Sequence, residues 1–379
     1  MGRRENFKAI LNHQTPDDLI LDLGGCPLST MQGMSMYTLL DHLGFPYEPP
    51  KGGVLPWGQV VRLDERLLEA LDIDTRGVGA VQVPKRSQYR NLSPTRYIDE
   101  FGIERVFTGL YWDIVKFPLC GAEEADLDRF DWPDPDSIDR EALAREAALA
   151  KRLYEETDYV ICADLPVYGV FELGCWMCGF EHFMIQMALN PGFVEKFFDI
   201  YWKYQKRVTE IYYSYLGKYI HYTASGDDFA TQNSLFVSKE MFQKYVNPYL
   251  KMRIDYTKQF TDAAYLHHSC GSVYDIIDDL IYAGVDILNP IQPGTTKMEP
   301  ERVKADFGDK IVLHGGFDTQ AVLPFGNAEE VEADAKRIID ILNVDGGYIF
   351  ACAHCIQEDV PPENIVTLFK AARKFGKKK

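Results

Sequence analysis

Short apolar runs alternate with longer amphipathic stretches along most of this chain. Leu19–Leu23 mixes apolar and acidic positions and opens into Gly24-Gly25-Cys26, which predicts a first strand and its loop. Tyr159–Ala163, Tyr219–Thr223, Ala263–Leu266, Val285–Pro290, Ile311–Leu313 and Tyr348–Ala351 are compact apolar runs of strand length. Between them the period lengthens. Helices are predicted over 139–157, 176–189, 192–216, 274–283, 299–307 and 328–342. Ser238 is a plausible N-cap for a helix to about 260, and Pro361-Pro362 opens a last helix to about Phe375. Before residue 139 the rhythm is looser. Helices are expected near 5–15, at Ser35–Leu43 and at Leu63–Ile73, and residues 45–60 read as a Pro- and Gly-rich loop or lid. Gly77–Pro84 and Arg105–Val115 are strand-like, with Thr108–Asp113 of the second expected as a hairpin within an insertion.

Alternating strands and helices imply a parallel sheet, because parallel strands need crossover connections. Eight or nine strand-like runs are present, enough for a (β/α)8 TIM barrel with an N-terminal extension and insertions, read as a single domain over 1–379. An open doubly wound sheet is the alternative, and it would bind ligand at one switch point. Barrels instead place their chemistry at the C-terminal ends of many strands. Polar and glycine residues cluster at those ends here: Gly24-Gly25-Cys26, Gly226-Asp227-Asp228, His268-Ser269-Cys270, Asn289, His314 to Asp318, and His354-Cys355.

Composition narrows the function classes. The 379 residues are 46% hydrophobic, enough for a large core, and carry a formal net charge of −17. That charge excludes a nucleic-acid binder, which needs a basic surface. Lys374 to Lys379 is the one local basic run and reads as a solvated tail. No run is long and apolar enough to cross a membrane, and no apolar leader follows the N-terminus. A cytoplasmic location is expected, with the eight scattered cysteines as thiols or metal ligands.

His268 and Cys270, two apart where a strand meets a helix, suit a borderline metal such as Zn²⁺. The bland reading is a packed thiol beside a core histidine. A third ligand would come from another strand end, and Cys352, His354 and Cys355 are the candidates. Asp227, Asp228 and Asp318 are candidate catalytic or substrate-orienting carboxylates; each could instead satisfy loop or helix N-terminal N–H groups. Tyr168 and Glu172 are candidate pocket residues, as are Asn289 and His314 at their strand ends; His314 also fits a satisfied core histidine. His267 should face away from His268. Cys175-Trp176-Met177-Cys178 is a C-x-x-C whose simpler reading is a packed helical face.

Gly226-Asp227-Asp228-Phe229-Ala230-Thr231-Gln232, His268 to Val273, Gly284 to Asn289, His314 to Gln320 and Gln357 to Asn364 occur in this order. Together they resemble the uroporphyrinogen decarboxylase superfamily of (β/α)8 barrels. True decarboxylases of that superfamily carry an arginine-rich N-terminal motif that grips propionates. Here Leu23 to Ser29 stands near the corresponding strand end without such arginines. The chain is more similar to the cobamide-dependent methyltransferase branch, whose zinc motif is H-x-C with a late Cys. His268 and Cys270 match its first half; the late Cys aligns with His354, and Cys355 is its neighbour. The resemblance implies a zinc enzyme moving methyl between a small methoxylated or methylated compound, an aryl methyl ether among the candidates, and a corrinoid. The corrinoid (a methylcobamide) would sit on a partner protein, because no D-x-H-x-x-G pattern is present. A metal-free decarboxylase of a non-porphyrin acid and a non-catalytic corrinoid- or small-molecule-binding barrel are the alternatives. Oligomeric state is open in the sequence, with a homodimer among the assemblies considered.

Overall fold

The computed structural model describes residues 1–48, 62–80, 90–109 and 111–378. Among these residues, eleven strands form two sheets. β1 (Thr75–Val78) is followed by an antiparallel insertion of β2 (Arg90–Ser93), β3 (Arg96–Ile98), β4 (Glu104–Phe107) and β5 (Trp112–Lys116). The first sheet continues through β6 (Val160–Ala163), β7 (Tyr222–Gly226), β8 (Ala264–His268), β9 (Ile287–Ile291), β10 (Val312–Phe317) and β11 (Tyr348–Cys352). These seven strands are parallel and curl in the order β1-β6-β7-β8-β9-β10-β11. Every residue of β6 to β11 is buried. Continuous apolar runs rather than alternation mark strands covered on both faces.

The first expected strand is irregular. Leu19–Leu23 lies between the two edges of the sheet but makes one isolated parallel bridge, Leu21 to Phe350. On the β11 side Phe350 N–H donates to Ile20 O (3.0 Å), and Asp22 N–H donates to Phe350 O (2.8 Å). On the β1 side Leu21 O accepts from Asp74 N–H (3.1 Å). Leu21 N–H, however, goes to the Asp74 carboxylate at 2.8 Å. On the β1 side a side chain thus takes the donor that a regular ladder would give to a backbone carbonyl, and no bridge to β1 forms there.

Other boundaries shift for local reasons. The helix expected over 176–189 is two helices, Val170–Cys178 and Phe180–Leu189, separated by Gly179 at φ +86°. The helix expected from Ser238 begins there, with Ser238 Oγ accepting from Met241 N–H. It then widens into a π turn at Phe242–Val246 before Asn247–Thr257. Pro248 has no N–H to give to the preceding turn, which explains the widening. β7 runs to Gly226 rather than ending at Thr223, and β10 runs through Gly315-Gly316 to Phe317. The lid expected over 45–60 lies, from residue 49 on, outside the described residues.

The antiparallel insertion is held to the main body by one aromatic plug. Phe101, in the β3–β4 turn and fully buried, meets Tyr168, Tyr201 and Tyr204 at ring-centroid distances of 6.3, 5.8 and 5.6 Å. Arg105 of β4 lies over the Trp176 ring at 4.7 Å and bonds Asp99 at 3.3 Å. The insertion thus packs against the loop after β6 and against the helices Val170–Cys178 and Pro191–Leu216. No helix among the described residues is long and apolar enough to cross a membrane.

Candidate metal centre

β8 ends at His268, and the chain turns sharply at Gly271, whose φ is +89°. A Cβ at Gly271 would stand 2.4 Å from the Thr231 carbonyl oxygen, so only glycine fits the turn that presents Cys270. β11 ends at Cys352, and His354 follows two residues on. The two strand ends bring His268, Cys270 and His354 together, with one ligand atom from each lying within 4.8 Å of the others. Nε2 of His268 is 3.3 Å from Sγ of Cys270. Sγ of Cys355 lies 3.1 Å from Nδ1 of His354, beside the three-residue group. Cys352 is buried at the end of its strand, and burial pushes its thiol far up.

Carboxylates surround these donors. Asp228 Oδ1 accepts the N–H of Cys270 at 2.8 Å and is 3.7 Å from His268 Nε2. Burial, then Asp228, Glu172 and Cys355, raise the Cys270 thiol well above its ordinary pKa. Burial and His268 push His354 down to about 4, so its imidazole is neutral at pH 7. Glu172 is raised well above a normal carboxylate by burial, then by Asp228 and Asp227. Asp227 is buried and takes the N–H groups of Glu172 (2.7 Å) and Phe171 (3.2 Å) at the start of the helix Val170–Cys178. Burial lifts its carboxyl to about 7.

The remaining expected residues fall in three places. Asp318 lies at the mouth and accepts the N–H groups of Gln320 (2.6 Å) and Ala321 (2.9 Å). Asn289 and His314 stand behind the donors, fully buried and hydrogen-bonded to each other at 2.6 Å. Tyr168 is set back against the insertion, its ring edge-on to Trp176 at 5.0 Å. His267 faces away from His268, bonding Ser225 Oγ at 2.8 Å and stacking on Phe229. The C-x-x-C cysteines Cys175 and Cys178 are buried free thiols on their helix.

Cys270 and His354 open onto a cleft of ≈ 410 Å³, whose walls also include Gln292, Asp318, Phe325 and Gln357. Phe325 and Tyr111 are exposed aromatics at its edge. Sequence reasoning missed Tyr111, Gln292 and Phe325, because residues in loops or in a one-turn helix such as Val322–Phe325 carry no readable periodicity. It also passed over Asp22, whose signal was an acid set among apolar residues at a strand end.

The uroporphyrinogen decarboxylase (URO-D) family profile matches residues 120–375, about two-thirds of the chain. The chain belongs to that family. It is similar to a solved methyltransferase from Methanosarcina mazei with a TM-score of 0.67, covering 99% of both chains at 17% identity, a likeness of fold. Over 117 residues it is 29% identical to the methylcobamide:CoM methyltransferase MtbA of Methanosarcina mazei, covering 30% of this chain and 33% of that one. Over 80 residues it is 34% identical to the uroporphyrinogen decarboxylase of Vesicomyosocius okutanii, covering 21% of this chain and 23% of the relative. The matched segment thus spans less than a quarter of that decarboxylase.

Proposed function

We propose that this chain is a zinc-dependent methyltransferase, moving a methyl group between a small methoxylated or methylated compound and a corrinoid held by a separate protein. In this reading Leu19–Leu23 serves as the eighth stave of a single-domain (β/α)8 barrel working in the cytoplasm. The observation that carries it is the grouping of His268, Cys270 and His354 within 4.8 Å at the C-terminal rim. Two imidazoles and a thiol suit zinc, and three protein ligands leave a position for substrate. The surroundings fit a cation as well. The carboxylates that oppose a bare Cys270 thiolate would be offset by a divalent ion bound to it.

Bound zinc would supply Lewis acidity toward a methoxy or hydroxyl oxygen, or hold a thiol acceptor as its thiolate. The protein's part is positioning. Asp228 fixes the Cys270 backbone, and Asp227 fixes the helix that carries Glu172 toward the site. Asp318 and the cleft walls are suited to orient a small substrate against the donors.

The first experiment is metal content by elemental analysis of the wild type and Cys270→Ala, followed by a screen of methoxylated compounds with cob(I)alamin. About one zinc per chain, lost in the variant, with methyl transfer to cobalamin, supports the proposal. A protein that takes up no zinc, yet releases CO2 from a carboxylic acid, would assign the site to decarboxylation instead.

A further inference from the structure

Behind the metal donors, a line of hydrogen bonds crosses the inside of the sheet. Nδ1 of His268 (β8) meets Oδ1 of Asn289 (β9) at 2.5 Å. Nδ2 of Asn289 meets Nδ1 of His314 (β10) at 2.6 Å. Nε2 of His314 meets Oδ2 of Asp22, in the irregular first segment, at 2.8 Å. The other Asp22 oxygen accepts from Thr75 Oγ1 of β1 (2.5 Å) and from Gly25 N–H (3.0 Å). Exposure is 0% for His314, 1% for Asp22 and Asn289, and 5% for His268, so water has little access with which to reset any link.

We infer that Asp22, acting through His314 and Asn289, fixes His268 as the tautomer whose Nε2 carries a free lone pair facing Cys270. The direction of the line follows from its one unambiguous end. A carboxylate only accepts, so His314 donates its Nε2–H. The Asn289 amide turns its Nδ2 toward Nδ1 of His314, so that ring nitrogen accepts and the His314 ring is the neutral Nε2–H tautomer. That leaves the Asn289 oxygen to accept Nδ1–H of His268. Nε2 of His268 is left unprotonated, as a metal ligand must be. Asp22 is suited to anchor the line because Thr75 Oγ1 and Gly25 N–H also donate to it, holding its second oxygen in place. His314 and Asn289 are thus positioning residues, and so is Asp22, three strands removed from the ligand. Thr75 and Gly25 N–H keep the carboxylate aimed along the line.

The inference rests on the zinc reading for its purpose but not for its test, which works on the metal-free full chain. Histidine is labelled with ¹⁵N, and the His268 signals are assigned by their loss in His268→Gln. The expected wild-type signature is a protonated Nδ1 and a pyridine-type Nε2. Asp22→Asn is nearly isosteric, but its NH2 can donate to His314 and reverse every link, so His268 should move to the other tautomer or a mixture. Zinc affinity of that variant should fall roughly ten- to a hundredfold while the fold is retained. Should Asp22→Asn not fold, Asn289→Asp decides. Its carboxylate still accepts from His268, so the His268 signature should persist while the His314 signature changes. A mixed His268 tautomer in the wild type, an unchanged His268 signature in folded Asp22→Asn, or an unchanged His314 signature in Asn289→Asp would overturn the relay. A fixed tautomer in a wild-type protein that takes up no zinc would keep the relay and remove the zinc reading. Zinc bound by a wild type of mixed tautomer would do the reverse. Ser225→Ala, which disturbs the neighbouring His267 in the same buried layer, should change neither readout.

Discussion

Asp228 and Cys270 are joined across two strand ends, with Oδ1 of Asp228 accepting the Cys270 N–H at 2.8 Å while standing 3.7 Å from Nε2 of His268. One carboxylate therefore shapes the loop and sets the charge at the donor group. Asp228→Asn separates these roles, since the amide oxygen still accepts the N–H but the charge is gone. Metal affinity is expected to drop by about tenfold, a moderate effect because Asp228 is about one-third exposed and solvent screens its charge. The melting temperature should stay near that of the wild type. Competition with a chromophoric chelator measures the first quantity; equal affinities in the two proteins would remove Asp228 from the electrostatics of the site.

Asp227 is a test of the helix beside the centre. Its two oxygens take the first free N–H groups of Val170–Cys178, and the neighbouring Gly169 leaves room for it. A Cβ at Gly169 would stand 1.9 Å from Asp227 Cγ. Asp227→Ala should cost about 2–3 kcal/mol in urea denaturation, because two buried donors lose their acceptor. Gly169→Ala should destabilise by a similar amount by displacing the same carboxylate. Asp227→Asn keeps one acceptor and should lose less. If Gly169→Ala melts like the wild type, the helix start does not depend on this packing.

Much of this was legible in the chain. His268 and Cys270 stood out because a metal-ligand pair followed a buried strand, and β8 does end at His268. The helix expected over 139–157 from periodicity is observed at Arg140–Glu156, and the structure makes Asp139 its N-cap. What was hidden depended on contacts between distant segments. Nothing local in Leu19–Leu23 announces that the Asp74 carboxylate will take the Leu21 N–H in place of a backbone carbonyl. Nothing around Asp22 announces that His314, 292 residues away, will bond it. The same limit applies to the third ligand, where neighbours in sequence compete and only the turn after β11 separates them.

That competition can be resolved by mutation. His354 contributes a ligand atom to the three-residue group, whereas Cys355 sits 3.1 Å behind on its Nδ1, with burial raising its thiol to about 11. His354→Ala is expected to abolish stoichiometric zinc binding. Cys355→Ala should retain it with a weaker affinity, since the thiol's contact with the ring is lost. The cobalt-substituted protein offers a second readout: sulfur-to-metal charge-transfer absorption should reflect one thiolate in both the wild type and Cys355→Ala. Intensity for two thiolates in the wild type, falling to one in Cys355→Ala, would make Cys355 the ligand.

Glu100 offers a pH dependence remote from the metal donors. It sits in the β3–β4 turn at 1% exposure, and its Oε1 has no hydrogen-bond partner among the described residues. Burial, then the neighbouring Asp99, raises its carboxyl from 4.5 to about 8. The folded chain therefore holds a proton here that the unfolded chain releases above about pH 4.5. Its contribution to stability is fully present below that pH and is lost as pH rises through about 8. The effect amounts to at most a few kcal/mol. Glu100→Gln keeps the shape and removes the titration, so the decline in unfolding free energy between pH 5 and pH 8 should flatten. At pH 8 the variant should be the more stable protein, while at pH 5 the two should lie close together. Denaturation curves at these two values decide it. Parallel losses in both proteins would mean that Glu100 ionises without strain, and that the aromatic plug around Phe101 admits water.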